Sequence, residues 1–185
     1  MIGFRGRGFL ELIEAIKKRT AIRTFSDEPI PDEVLRQMVR AAHKAPTGSN
    51  TPYRRIMVVT DRKRLRILKQ IAPGILGQPT GVMVIYTDLK IAADMGRISQ
   101  ACSTLDAGAA AENACLVATS LGLGSCFTKS YSEAAVKELF GIPDDGFRTE
   151  VILQLGYPAA TRPPPAKPRK GARITELDKF GEVWN

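Results

Sequence analysis

The chain has 185 residues, 44% hydrophobic and 25% charged, with a formal net charge of +8. That composition supports one core and one domain spanning 1–185. It contains no apolar run long enough to cross a bilayer and no secretory leader before Gly8, so the expected setting is cytoplasmic. The charge is uneven: residues 1–23 contribute +4 and residues 157–173 contribute +5, leaving −1 for the remainder. A nucleic-acid binder concentrates charge in this way, and so does a protein whose two ends meet at one phosphate.

Phe9 to Lys18 reads as an amphipathic helix with Leu10, Ile13, Ala15 and Ile16 on its apolar face. It runs into the basic segment Arg19-Thr20-Ala21-Ile22-Arg23. Pro31-Asp32-Glu33 opens a second helix whose buried stripe is Val34, Leu35, Met38, Val39 and Ala42. Pro46 stops it, and Thr47 to Pro52 follows as a polar loop. Ile56 to Val59 is a short strand, and Asp61 caps a third helix carrying Leu65, Ile67 and Leu68. Pro73 to Gly81 reads as an irregular connection. Val82 to Tyr86 is apolar at consecutive positions, the pattern of a strand buried on both faces.

The longest helix is expected from about Leu105 to Leu121. Its first half is small all round, which suits a core or subunit-contact element. Gly122 ends it, and Ser125 to Thr128 continues as a strand or extended turn. Ser132 caps a helix with Val136, Leu139 and Phe140, closed by Gly141-Ile142-Pro143. Thr149 to Gly156 is the last strand. A proline-rich basic tail runs through Arg173, followed by Ile174 to Asn185. Helices and strands intermix without repeats, so the fold class is α+β, a small sheet flanked by helices.

Three constellations carry possible chemistry. The first is the split basic set Arg19, Arg23, Lys167 and Arg169. Arginine's planar fork matches a phosphate monoester, and lysine adds a point charge. Pro163-Pro164-Pro165 stiffens the tail that carries Lys167 and Arg169. Solvated surface charge is the plain alternative. The second is the loop of Pro46, Thr47, Gly48 and Asn50, where glycine lets backbone approach a ligand ring and the polar residues are short; an ordinary turn has the same composition. The third, Leu121-Gly122-Leu123-Gly124, lacks the third glycine of a dinucleotide fingerprint and follows a helix instead of a strand, so that reading is rejected.

Cys102, Cys115 and Cys126 are an odd set without metal-ligand spacing, and His43 is the sole histidine. No metal site and no catalytic triad are expected, and the cysteines read as small buried hydrophobes.

Five blocks occur in the order seen in the nitroreductase family, which the chain resembles over about residues 9–173. They are Arg19 to Phe25, Ala45 to Asn50, Asp106 to Asn113, Leu121 to Cys126, and Leu155 to Pro158. The resemblance implies a mostly antiparallel sheet, an intertwined homodimer and FMN at the subunit interface. It implies that Arg19, Thr20, Ala21 and Arg23 hold the phosphate and pyrimidine edge of the flavin. Lys167 and Arg169 are similar to the family's C-terminal phosphate clamp. Pro46, Thr47, Gly48 and Asn50 match the loop that the second subunit lays against the cofactor. Thr128, Lys129 and Ser130 match the segment whose backbone faces the reactive nitrogen.

The implied activity passes electrons from NAD(P)H through flavin to a small electron-poor acceptor such as a nitroaromatic or quinone. Neither nucleic acid nor membrane is an expected partner. The flavin carries the chemistry, so no catalytic side chain is named. A flavin-binding module without turnover, a dehalogenase or a flavin-consuming enzyme remain alternatives. Two departures stand out: Ala21 replaces the family's usual Ser, and the Gln-Pro-Trp after the loop is shortened to Pro52-Tyr53.

Overall fold

The computed structural model describes residues 11–161 and 175–183. Among these described residues six α-helices and four strands follow in the order α1 (Leu12–Lys18), α2 (Asp32–Lys44), β1 (Arg54–Val59), α3 (Arg62–Ile71), β2 (Gly81–Asp88), α4 (Leu89–Ala93), α5 (Ser99–Ser120), β3 (Gly124–Thr128), α6 (Glu133–Phe140) and β4 (Phe147–Gly156). The tail residues Lys167 and Arg169, and the first helical positions expected at Phe9 and Leu10, lie outside the described residues.

Local chemistry sets most boundaries. Asp61 accepts a hydrogen bond from the Arg64 amide at 2.8 Å and starts α3; Ser132 does the same for Ala135 at the start of α6. Gly141 ends α6 with φ +68°, a left-handed position that glycine adopts without a Cβ clash. α2 stops where Ala45 turns extended ahead of Pro46.

The strands form one sheet in the order β1-β2-β4-β3, with every neighbouring pair antiparallel. β2 is central and buried along nearly its whole length, as its unbroken apolar run requires. Helices cover both faces. On one, α2 and α5 pack Met38, Ala42, Ala110, Ala111 and Ala114 against Met83, Ile85 and Leu153. On the other, α3 and α6 bring Leu65, Leu68, Val136 and Phe140 against Val82, Val84 and Ile152. Ala107, Ala110, Ala111, Ala114 and Ala118 of α5 are core residues, and their small size lets α2 approach.

Several expectations need correction. α5 starts at Ser99, not Leu105, and α4 lies in a stretch without a sequence assignment. The reason is shared: residues 89–104 lack a continuous apolar stripe, so periodicity gives no signal there. β1 begins two residues early because Arg54 is a buried strand residue. Cys115 and Cys126 are buried, but Cys102 is only half-buried. On α1 only Ala15 is buried, while Leu12, Ile13 and Ile16 are 62%, 60% and 50% exposed. With Leu105 of α5 at 73%, they leave an uncovered apolar surface on the α1 and α5 side.

Candidate functional site

The segment after α1 is extended and docks on the end of the sheet. Ala21 bridges Ser125 of β3, with the Ile22 amide donating to the Ser125 carbonyl at 2.9 Å. Phe25 bridges Pro158 beyond β4, and the Ser26 amide donates to the Tyr157 carbonyl at 2.8 Å. In an extended segment alternate residues face opposite ways. Ile22 is buried against Gly124, and Thr20 and Ile22 line a cavity of about 270 Å³ with Lys18, Thr119, Gly122, Leu123 and Pro158. Arg19, Ala21 and Arg23 fall on the other side.

Arg19 pairs with Glu112 of α5 at 3.1 Å, a half-exposed ion pair of small energetic worth that fixes the direction of the guanidinium. Arg23 lies beside the sulfur of Cys126. Burial pushes the Cys126 thiol pKa up, and the Arg23 charge pulls the other way. Cys115, also close to Arg19, is raised to about 11 by burial. Both thiols are therefore neutral near pH 7.

A third segment completes this corner, and the sequence reading passes over it as an irregular connection. Residues 74–77 wedge between Arg23 and the end of β3. The Gly74 amide donates to the Ser130 carbonyl at 3.0 Å. A Cβ on Gly74 would meet the Thr128 methyl at 2.8 Å, and one on Gly77 would overlap the Arg23 carbonyl oxygen. Gln154 of β4, fully buried, ties the two sides: its amide nitrogen donates to Thr128 Oγ1 at 2.6 Å and to the Gly74 carbonyl at 3.1 Å. The two glycines three residues apart were the available signal; Gln154 gave none.

The structure thus brings residues 19–23, 74–77 and 124–130 together. Within that group Lys129 is turned away, its ammonium donating to the Thr149 and Glu150 carbonyls of β4 at 3.2 and 2.7 Å. Thr128 has its hydroxyl engaged by Gln154.

The Pro46–Asn50 loop is placed separately. It forms a tight 3-10 turn with Ser49 and Asn50 at φ 51° and 55°, left-handed values that are uncommon outside glycine. It docks on the first half of α5, where a Cβ on Gly48 would overlap the end of Met95 and crowd Cys102 at 3.2 Å. Arg19 docks on Glu112, about 15 Å further along the same helix than Cys102 at 1.5 Å per residue.

Three residues absent from the sequence-derived site hold this loop. Arg54 is buried, and its guanidinium donates to the carbonyls of His43, Ala45, Pro46 and Asp106 at 2.9–3.2 Å. Asp106 accepts from the Gly48 amide at 2.7 Å and from the Tyr53 hydroxyl. Burial and then the Asp106 carboxylate hold the Tyr53 hydroxyl protonated, its pKa raised to about 12. A second cavity, about 460 Å³ between α2 and β1, is lined by Leu35, Arg36, Val39, Arg40 and Val58 among others, and includes none of the residues read from the sequence as a site.

A family model described as the nitroreductase family matches residues 16–82 and 73–157. The chain belongs to the nitroreductase family. The matched ranges overlap across the 74–77 segment and take in both Arg19–Arg23 and Thr128–Ser130.

Among relatives, a protein of Archaeoglobus fulgidus provisionally named NADH dehydrogenase/NAD(P)H nitroreductase is 30% identical over 154 residues, 80% of this chain and 86% of that protein. The NADPH-flavin oxidoreductase of Vibrio harveyi is 30% identical over 175 residues, 88% of this chain and 71% of that protein. A solved structure of NADPH:FMN oxidoreductase from Vibrio harveyi, complexed with NAD+, superposes with a TM-score of 0.79 at 27% identity, covering 93% of this chain and 79% of that one. No helix among the described residues is long and apolar enough to cross a membrane.

Proposed function

We propose that this nitroreductase-family oxidoreductase is a homodimeric FMN enzyme that takes electrons from NADH or NADPH. It delivers them to a small electron-poor acceptor, with nitroaromatics and quinones the fitting classes. The observation that carries the reading is the convergence of residues 19–23, 74–77 and 124–130, with Arg19 and Arg23 on one side of an extended segment.

The fit to a flavin mononucleotide rests on that corner's chemistry. Two guanidinium groups suit a phosphate monoester. Gly74 sits where an added Cβ would meet the Thr128 methyl, so its backbone packs directly on the end of β3. Arg19, oriented by Glu112, and Arg23 would hold the phosphate, joined by Lys167 and Arg169 of the tail. With the Lys129 ammonium engaged on β4, residues 128–130 would present mainly backbone to the ring. Bound FMN supplies the two-electron transfer chemistry, and the protein supplies position, charge and exclusion of water.

The dimer completes the site in this reading. The exposed apolar residues of α1, with Leu105, form the contact surface. The Pro46–Asn50 loop of one protomer would then close the cleft of the other. The names of the Vibrio harveyi relatives support the choice of flavin and nicotinamide, and a cytoplasmic setting suits a supply of reduced nicotinamide.

The test is anaerobic mixing of the FMN-loaded protein with NADH or NADPH, followed by loss of visible flavin absorbance. The expected result is reduction faster than that of unbound FMN under the same conditions. A rate equal to that of unbound FMN contradicts turnover and favours a binding module.

A further inference from the structure

The Pro46–Asn50 loop does not hold its shape by itself. Its left-handed residues Ser49 and Asn50 are conformations that surrounding structure has to impose. The imposing contacts come from two directions. From below, Arg54 at the first position of β1 gathers three carbonyls at the end of α2, those of His43, Ala45 and Pro46, and fixes where the loop leaves the helix. From the side, Asp106 of α5 takes the Gly48 amide at 2.7 Å and the Tyr53 hydroxyl on the same carboxylate oxygen. The Gly48 amide also reaches the Tyr53 oxygen at 3.3 Å, and Arg54 bonds the Asp106 backbone carbonyl at 3.2 Å. The result is a closed ring of four groups that joins strand, helix and loop.

The ring is built for position more than for bulk packing. Tyr53 is 1% exposed and Arg54 8%, so water does not compete for their polar groups. An uncharged acceptor would satisfy the same donors less strongly, because a carboxylate roughly doubles the strength of such bonds. The ring sits on α5, which shares with α1 the uncovered apolar surface, so it places the loop relative to that surface.

We infer that Asp106, with Tyr53 and Arg54, is the positioning unit that sets the Pro46–Asn50 loop for the flavin cleft of the partner protomer. The inference rests on the FMN-dimer reading above. Asp106, Tyr53 and Arg54 act through the loop; none is a catalytic residue. A change at Asp106 damages the cleft across the interface and spares the one in its own chain, whereas a change at Arg19 and Arg23 damages its own.

The experiment pairs these two defects. Asp106→Ala and Arg19→Ala/Arg23→Ala chains are co-expressed with different tags, and mixed dimers are isolated. Each variant homodimer is expected to bind FMN at least about tenfold more weakly than wild type. The mixed dimer is expected to recover one site of wild-type affinity, because the Asp106→Ala chain keeps its own arginines and receives an intact loop. An Asp106 that merely stabilises its own protomer leaves no native site in the mixed dimer, and that result overturns the inference, as does wild-type affinity in the Asp106→Ala homodimer.

Asp106→Asn, whose carboxamide oxygen still accepts from both donors, is expected to bind FMN within about threefold of wild type. Should Asp106→Ala fail to fold, Tyr53→Phe takes its place in the same pairing, with the same two outcomes. A wild-type protein that takes up no FMN at all overturns the underlying reading. Normal FMN binding by wild type and by every loop variant overturns only the positioning role.

Discussion

Replacing Arg19 and Arg23 together by alanine is expected to weaken FMN binding by about 100-fold, close to 3 kcal/mol, while leaving the fold intact. The magnitude follows from losing two charge-assisted contacts to one phosphate. Neither side chain is part of the hydrophobic core; Arg19 has one half-exposed partner, Glu112, and Arg23 is exposed beside Cys126. Their removal therefore costs little stability. In the Arg19→Ala chain the Glu112 carboxylate loses its ion-pair partner, and a phosphate bound as proposed would then meet repulsion as well as lost attraction. Isothermal titration with FMN and a melting curve of the flavin-free protein separate the two effects. An unchanged affinity in the double variant removes these residues from the phosphate site.

Gly77→Ala is expected to lower stability as well as FMN binding. A Cβ there overlaps the Arg23 carbonyl oxygen and lies 3.0 Å from the carbonyl carbon. Both are backbone atoms, which cannot swing aside as a side-chain tip would, and Phe25 closes the remaining direction at 3.4 Å. The 74–77 segment has to lift from the 19–25 segment. Overpacking of this kind costs about 1–3 kcal/mol, which in a domain of this size lowers the melting temperature by several degrees, at about 2–4 °C per kcal/mol. The same displacement shifts Arg23, so FMN affinity falls as well. A Gly77→Ala protein with wild-type melting and affinity contradicts the close packing of the 74–77 and 19–25 segments.

Much of the fold was legible because its signals are local. Asp61 and Ser132 cap the helices that follow them, Gly141 ends α6, and the apolar run from Val82 is the central strand. The Arg19–Arg23 segment stands out by its charge, residues 128–130 are singled out by resemblance, and the fold brings the two segments together. What sequence did not yield depends on pairs far apart in the chain. The Gly48–Asp106 bond spans 58 residues and the Gln154–Gly74 bond spans 80, and neither residue type announces its partner.

Arg54 was hidden for a different reason. Arginine is rarely buried, so Arg54-Arg55 reads as the polar approach to a strand; only one of the two is exposed, and the other is saturated by carbonyls. The exposed face of α1 shows the reverse error. Leu12, Ile13 and Ile16 have the spacing of a helix facing a core, but within one chain that face meets solvent. The proposed second protomer would cover that face.

On this proposal the Arg19–Arg23 corner is a flavin monophosphate site completed across a dimer interface. The most direct measurement combines the absorption spectrum of the protein, equilibrated with FMN and freed of excess, with its mass by sedimentation equilibrium. Flavin bands at one FMN per chain, in a particle of two chains, are the expected result. A colourless protein, or a fully loaded monomer, contradicts it.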